Sequence, residues 1–293
     1  MDKKRGRGGM TSTIPTGVRK NRPGGKVYLV GGGPGDPELI TVKGVRALRE
    51  ADVILVDRLI HPALLEYARP GASLIHCGKN PGCPGWNQEA INQLMVEHAR
   101  AGKTVTRLKG GDPFVYGRGG EEAQVLVSHG VDFEVIPGIT AGIAAPACAG
   151  IPVTHREYSS TIAFITGHRK KGSEEELPWK HLAKGVDTLA IYMGVKNLPY
   201  IREQLLSNGK SRDTPVALIQ WGTTGDQYTL TGILEDVVEL ARHHEVKNPT
   251  MIVVGEVVRL REQLAWFENR AVPKKGEIIK EWGEKAGASA SSS

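Results

Sequence analysis

The chain has 293 residues, 40% hydrophobic and 24% charged, a soluble globular composition with length for one large or two ordinary domains. Its 37 glycines and 17 prolines exceed what a helical bundle uses and suit an α/β protein with many tight turns; collagen-like, disulfide-scaffold and wholly disordered chains are excluded. The net charge of +6 sits in residues 1–26, where eight Lys and Arg face Asp2 alone, so residues 27–293 sum to −1 and the body of the chain does not read as a nucleic-acid surface.

Residues 1–26 are rich in Gly, Thr and Pro without apolar periodicity and read as a disordered, functionally bland tail. No apolar segment follows the charges, which excludes a signal peptide; Met10 is a candidate start with a leader before it. Val27–Val30 is a strand that breaks at Gly31-Gly32-Gly33-Pro34-Gly35-Asp36. Pro37 and Glu38 suit the first turn of a helix whose Val42, Val45 and Leu48 share one face. Val53–Val56 is a second strand, stopping at Asp57, and Ser73–Cys77 a third. Asn87 caps a helix with Ile91, Leu94 and Met95 at core spacing, ending before Gly102. Thr104–Leu108 and Phe133–Ile136 are the fourth and fifth strands, and the alternation predicts a mostly parallel sheet covered on both faces.

Ile136–Val153 carries no charge, but Pro137, Pro146 and Pro152 interrupt it and its bulk is Ala and Gly, so it reads as a short buried helix and not a membrane span. The seam is Gly150–Tyr158. Beyond it Thr161–Thr166, Thr188–Tyr192, Val216–Ile219, Tyr228–Ile233 and Met251–Val254 read as strands, with Gly194, Gly222, Gly232 and Gly255 punctuating their ends. The expected organisation is a tail (1–26), an N-terminal α/β domain (27–155), a C-terminal α/β domain (156–270) and a frayed tail (271–293), with a ligand cleft between the domains. Three cysteines, Cys77, Cys83 and Cys148, without a C-x-x-C pair fit a reducing cytoplasm. His76, Cys77 and Cys83 lack a partner pair at zinc spacing, so no metal is expected.

Glycine-rich strand ends are where an α/β sheet exposes backbone amides to a ligand. Gly31–Asp36 is a poor dinucleotide loop, because Asp36 holds the third glycine position and Pro34 removes an amide. The segment Arg107–Glu122 concentrates Gly110, Gly111, Asp112, Arg118 and Glu121 within one turn and helix start, which favours a functional site over a structural turn. Pro137–Ala141 reads equally as a ligand loop or as a helix entry capped by Thr140. Tyr192-Met193-Gly194 and Gln220–Thr224 carry little signal of their own, since a Met at a strand end is commonly core.

Together, GGGPGD (31–36), VDRL (56–59), CGK (77–79), RLKGGDPFVYGRGGEE (107–122), PGITA (137–141), GIPVTHR (150–156), ITGH (165–168), YMG (192–194) and VVGEVV (253–258) resemble the uroporphyrinogen-III C-methyltransferase family of the tetrapyrrole methylase superfamily, from about Val27 to Arg270. GGGPGD resembles a loop common to the superfamily, whereas GRGGEE and THR are particular to this member. The resemblance implies two α/β domains in the tetrapyrrole methylase fold, distinct from Rossmann methyltransferases. It implies S-adenosylmethionine as donor, held by Pro34, Gly110, Gly111, Asp112, Val115, Thr140, Ala141, Met193 and Gly222. It implies Asp57 as proton acceptor, Lys79 as proton donor, and Arg118, Glu121 and Arg156 on the tetrapyrrole, with Arg118 also catalytic, in a homodimer. The implied product is precorrin-2, formed by methylation at C2 and C7. Trp221 departs from the family's Asn before Gly222, with little consequence expected.

The physics suits those roles. Methyl transfer to carbon is an in-line displacement governed by alignment, and a strand-end carboxylate can take the proton the ring then loses. Guanidinium groups at Arg118 and Arg156, with Lys79, match a polycarboxylate substrate. The alternative is a superfamily methylase acting on a later corrin precursor, against which GRGGEE argues. A nicotinamide-dependent oxidoreductase would need a proper dinucleotide loop, so oxidation and iron insertion are expected of separate proteins. A nucleic-acid module would rest on the tail alone.

Overall fold

A computed structural model of the chain describes residues 24–78, 86–167 and 177–268. The basic tail up to residue 23, Lys79, Cys83 and the C-terminal tail from residue 269 lie outside the described residues. Lys26, read with the tail, is the first residue of β1 and pairs with Glu134 at 2.5 Å.

The first sheet contains β1 (Lys26–Gly31), β2 (Val53–Val56), β3 (Ser73–His76), β4 (Val105–Lys109) and β5 (Asp132–Ile136), in the order β3-β2-β4-β1-β5 with every pairing parallel. All of β2 and β4 is buried, as the apolar run of β2 foretold for a strand covered on both faces. On one face α1 (Val42–Glu50) packs Ala47 and Leu48 against Val30, Ile54 and Val56. On the other, α2 (Gln88–Arg100) and α3 (Gly119–Ser128) pack Ile91, Met95, Ala99 and Leu126 against Val27, Leu29, Leu55 and Val105. Asn87 caps α2 as expected, its side chain accepting from the Ala90 amide at 2.7 Å. The chain therefore leaves β1 on the α1 face toward β2 and leaves β4 on the α3 face toward β5. Because β1 and β4 are neighbours, those connections diverge and open a crevice between the two strand ends, where α/β sheets take ligands.

The single helix expected from Pro37 is in fact two pieces. Asp36 accepts from the Glu38 amide at 2.9 Å and starts one 3-10 turn, Pro37–Leu39; Ile40 is extended; Thr41 then accepts from the Gly44 amide at 3.0 Å and starts α1. Two caps five residues apart cannot serve one helix. The buried face is accordingly Gly44, Ala47 and Leu48, while Val42 is 79% exposed.

The second sheet contains β6 (Ile162–Thr166), β7 (Thr188–Tyr192), β8 (Pro215–Gln220), β9 (Tyr228–Ile233) and β10 (Thr250–Val254), ordered β6-β7-β10-β8-β9. Only β6 and β7 run parallel; the other pairings are antiparallel. Gly232, expected at a strand end, lies inside β9, where an added Cβ would come 2.7 Å from Leu240. The small-residue helix α4 (Ala141–Cys148) follows the first sheet in sequence yet packs on the second: Ala145, with Ala149 and Ile151 just past the helix end, meets Ala190, Ala217, Ile219 and Val253. Among the described residues no helix is long and apolar enough to cross a membrane.

Candidate active site

Three loops close on one another at the crevice, backbone to backbone. Gly33 and Gly111 exchange two hydrogen bonds, of 2.6 Å from the Gly111 amide and 3.2 Å from the Gly33 amide. A Cβ on Gly31 would lie 2.5 Å from the Gly138 nitrogen, so the loops after β1, β4 and β5 meet where side chains do not fit. Asp112 fastens this junction: Oδ1 accepts from the Phe114 amide at 2.7 Å and Oδ2 from the Gly138 amide at 3.0 Å. Gly110 and Gly111 differ from these crowded glycines. The nearest atom to a Cβ on Gly111 would be Thr140 Cα at 3.8 Å, followed by the Ala141 nitrogen, and on Gly110 it would be Leu59 Cβ at 3.5 Å. The result is a peptide-lined cradle facing the start of α4, with room for a ligand to lie against backbone.

The second sheet closes the other side. The Tyr192 hydroxyl at the end of β7 pairs with Thr140 Oγ1 at 2.6 Å and accepts from the Gly142 amide at 2.8 Å. Thr140 thus stands at the N-cap of α4 but makes no capping bond; its hydroxyl is engaged by Tyr192 instead. Tyr116 donates to the Phe164 carbonyl at 2.7 Å, and its ring lies 4.8 Å from that of Tyr192. The Asp36 amide donates to Thr223 Oγ1 at 3.1 Å, and Gly222 abuts Ala145 of α4. Met193 is exposed beside Tyr192, Val115 is half-buried below Asp112, and Pro34 is half-buried in the first loop. Tyr116, Arg118, Met193, Trp221 and Thr223 all have positive φ, a conformation that bulky residues adopt at a cost of about 1–3 kcal/mol and that concentrates at functional sites.

Asp57 ends β2. Its amide donates to the Leu108 carbonyl, Oδ1 accepts from the Arg58 amide at 2.9 Å, and the side chain is 41% exposed. Beneath it lies a buried ionic group. Arg107 Nη2 is 4.0 Å from Asp57 Oδ2, while Arg107 Nε and Lys109 Nζ reach Glu122 Oε1 at 3.2 and 3.0 Å. Burial holds the Lys109 ammonium below its usual range; the like charge of Arg107 adds to this and Glu122 opposes it. Arg118 caps α3 in the left-handed region and pairs through Nη2 with Glu121 at 2.6 Å, both side chains more than half exposed. Arg156 is exposed in a loop pinched by the His155–Ser159 bridge.

The structure thus gathers Gly110, Gly111, Asp112, Thr140 and Ala141 around one cradle, with Gly222 against Ala145 further along α4, Asp57 on an adjoining loop and Arg118 and Glu121 at the start of α3. Among the described residues it does not join Arg156 to them. Sequence reasoning gave no role to Arg107, Glu122, Tyr116, Tyr192 or Gly138. Arg107 and Lys109 were findable, because alternate residues of a buried strand share a face and two cations there require a counter-charge.

A family model described as tetrapyrrole (corrin/porphyrin) methylases matches residues 26–238. The chain is 61% identical over 234 residues to a uroporphyrinogen-III C-methyltransferase of Priestia megaterium, covering 80% of this chain and 98% of that protein. It is 52% identical over 244 residues to a siroheme synthase of Pseudomonas fluorescens, covering 83% of this chain and 52% of that protein. A crystal structure of a uroporphyrin-III C-methyl transferase from Thermus thermophilus complexed with S-adenosylhomocysteine matches with a TM-score of 0.70 at 40% identity, covering 80% of this chain and 100% of that one.

Proposed function

The chain belongs to the tetrapyrrole (corrin/porphyrin) methylases, and from that premise we propose that it moves two methyl groups from S-adenosylmethionine to C2 and C7 of uroporphyrinogen III, giving precorrin-2 for sirohaem, cobalamin or haem d1. The observation that carries this reading is the peptide-lined cradle at Gly110-Gly111, open toward Thr140 and Ala141 and adjoining the loop of Asp57. When bound, S-adenosylmethionine supplies an electrophilic methyl on a sulfonium.

Gly110 and Gly111 would hold the donor by close backbone approach, with Pro34, Val115, Thr140, Ala141, Met193 and Gly222 around it and Asp112 keeping the loops in register. Asp57, half-exposed at the crevice, takes the one proton that the macrocycle must lose for each methyl gained, from a position other than the methylated carbon, which bears none; Lys79, outside the described residues, is the proton donor for the shift of ring hydrogens that follows. Arg118 meets a substrate carboxylate with its guanidinium fork, Glu121 holding that fork in place, and Arg156 binds a second. The enzyme works as a homodimer in the cytoplasm. Cys77 and Cys148 are free buried thiols, which suits that compartment, and burial together with the nearby Asp36 carboxylate pushes Cys148 up to about 11.

Anaerobic incubation of the protein with uroporphyrinogen III and S-adenosylmethionine, read by mass spectrometry, tests the proposal. The expected product has gained two methyl groups. No gain, with S-adenosylhomocysteine still bound, moves the substrate to another target of the family.

A further inference from the structure

Glu121 and Glu122 are neighbours with opposite surroundings. Glu121 is exposed on Arg118, whereas Glu122 has no exposed surface. Three donors converge on Glu122 Oε1: Arg107 Nε at 3.2 Å, Lys109 Nζ at 3.0 Å and Gln88 Nε2 at 3.0 Å. Oε2 is buried with no hydrogen-bond partner among the described residues. A buried carboxylate oxygen without a donor is costly, and such groups persist where their position serves something else.

The elements that Glu122 ties are those the proposed reaction uses. Lys109 is the residue before Gly110-Gly111, Gln88 opens α2, and Glu122 itself lies in the first turn of α3, beside Arg118 and Glu121. Arg107 spends its fork in three directions: Nε on Glu122, Nη1 on the Leu55 carbonyl at 3.3 Å, and Nη2 toward Asp57 Oδ2 at 4.0 Å. A planar guanidinium fixed at two points has its third edge fixed as well. Burial alone would be served as well by apolar residues, since buried ion pairs contribute little net stability.

We propose that Glu122 and Arg107 are positioning residues for Asp57: Glu122 locks the Arg107 guanidinium, and the locked guanidinium sets where the Asp57 carboxylate stands in the crevice. The proposal rests on the reading of Asp57 as proton acceptor. Neither residue touches substrate, and the proton passes from the macrocycle to Asp57 without either one taking it.

The test is a double-mutant cycle on the full-length protein, with kcat and KM for uroporphyrinogen III and S-adenosylhomocysteine affinity measured for each variant. Glu122→Gln is expected to lower kcat about tenfold or more while KM and donor-product affinity stay within about threefold. Asp57→Asn combined with Glu122→Gln should be no slower than Asp57→Asn alone, because a misplaced carboxylate costs nothing once the carboxylate is gone. Arg107→Lys, which keeps the charge and loses the fork, should retain more turnover than Arg107→Met, and it replaces Glu122→Gln in the cycle if that variant does not fold. Multiplicative losses in the cycle overturn the positioning role and leave Asp57 as acceptor. Full turnover in Asp57→Asn alone overturns the acceptor reading, and the positioning role with it.

Discussion

Tyr192 Oη and Thr140 Oγ1 lie 2.6 Å apart although 52 residues separate them, and the same tyrosine oxygen accepts from the Gly142 amide. One phenol therefore fixes the N-terminal turn of α4 and the open side of the cradle. Tyr192→Phe removes both bonds and should cost about 1–3 kcal/mol, lowering Tm by several degrees. Affinity for S-adenosylhomocysteine should fall in parallel when followed by calorimetry; unchanged affinity with a lowered Tm would confine Tyr192 to packing.

Arg118→Ala should lose turnover by about tenfold or more while keeping S-adenosylhomocysteine affinity, since Arg118 is assigned to the macrocycle and its present partner, Glu121, is itself exposed. Steady-state kinetics beside calorimetry decides it. Retained turnover with lost donor-product binding would sink the assignment.

Gly111→Val should show the reverse. Its φ of +65° makes any side chain cost about 1–2 kcal/mol, and the added atoms would project into the gap before Thr140. Donor-product binding should vanish while the protein stays folded by circular dichroism. Gly120→Ala, where a Cβ meets nothing within 4 Å, is the matched control and should bind normally.

Much of the first sheet was legible because its strands are local signals. The Val53–Val56 run is apolar throughout, as a strand buried on both faces must be, and Gly-rich segments marked the strand ends at Gly31 and Gly110. The start of α1 was not legible, because Asp36 and Thr41 are both competent caps and only the extended Ile40 between them decides which helix forms. Nor was the direction of pairing in the second sheet, since the unbroken buried runs of β8 and β10 do not say which neighbour each strand takes or in which direction. The site divides the same way. Gly110, Gly111 and Asp112 announced themselves as a segment, whereas Tyr192 meeting Thr140 and Glu122 gathering Arg107 with Gln88 are products of tertiary packing.

Trp221 stands in the left-handed region at φ +49°, where Asn is the side chain best tolerated after glycine. The Asn that the resemblance implies before Gly222 would sit in that conformation with less strain than Trp221. Trp221→Asn should stabilise the protein by about 1 kcal/mol, seen as a raised Tm with turnover unchanged within about twofold.

Asp187 Oδ2 accepts from the Ser160 amide at 2.8 Å and, at 3.0 Å each, from the Ser160 hydroxyl, the Thr161 amide and the Thr161 hydroxyl. These bonds, the Ser160 amide first, hold its carboxyl below 3.8. The stabilisation is full above that unfolded-state value and is lost as pH falls through the lower folded value. The Tm difference between wild type and Asp187→Asn should therefore be full at about pH 7 and shrink below about pH 4 in scanning calorimetry. A difference constant down to about pH 2 would contradict it.

The placement of α4 governs how anything enters the cleft. The chain leaves the first sheet, is bolted by Asp112 at Gly138, and at once lays α4 against the second sheet, while Tyr116 reaches the Phe164 carbonyl from the other direction. Two lobes joined in this way cannot swing apart like jaws without tearing the floor they share. Ligands are therefore expected to enter and leave by the rim of the cleft, and the small residues of α4 let its floor lie close against the second sheet.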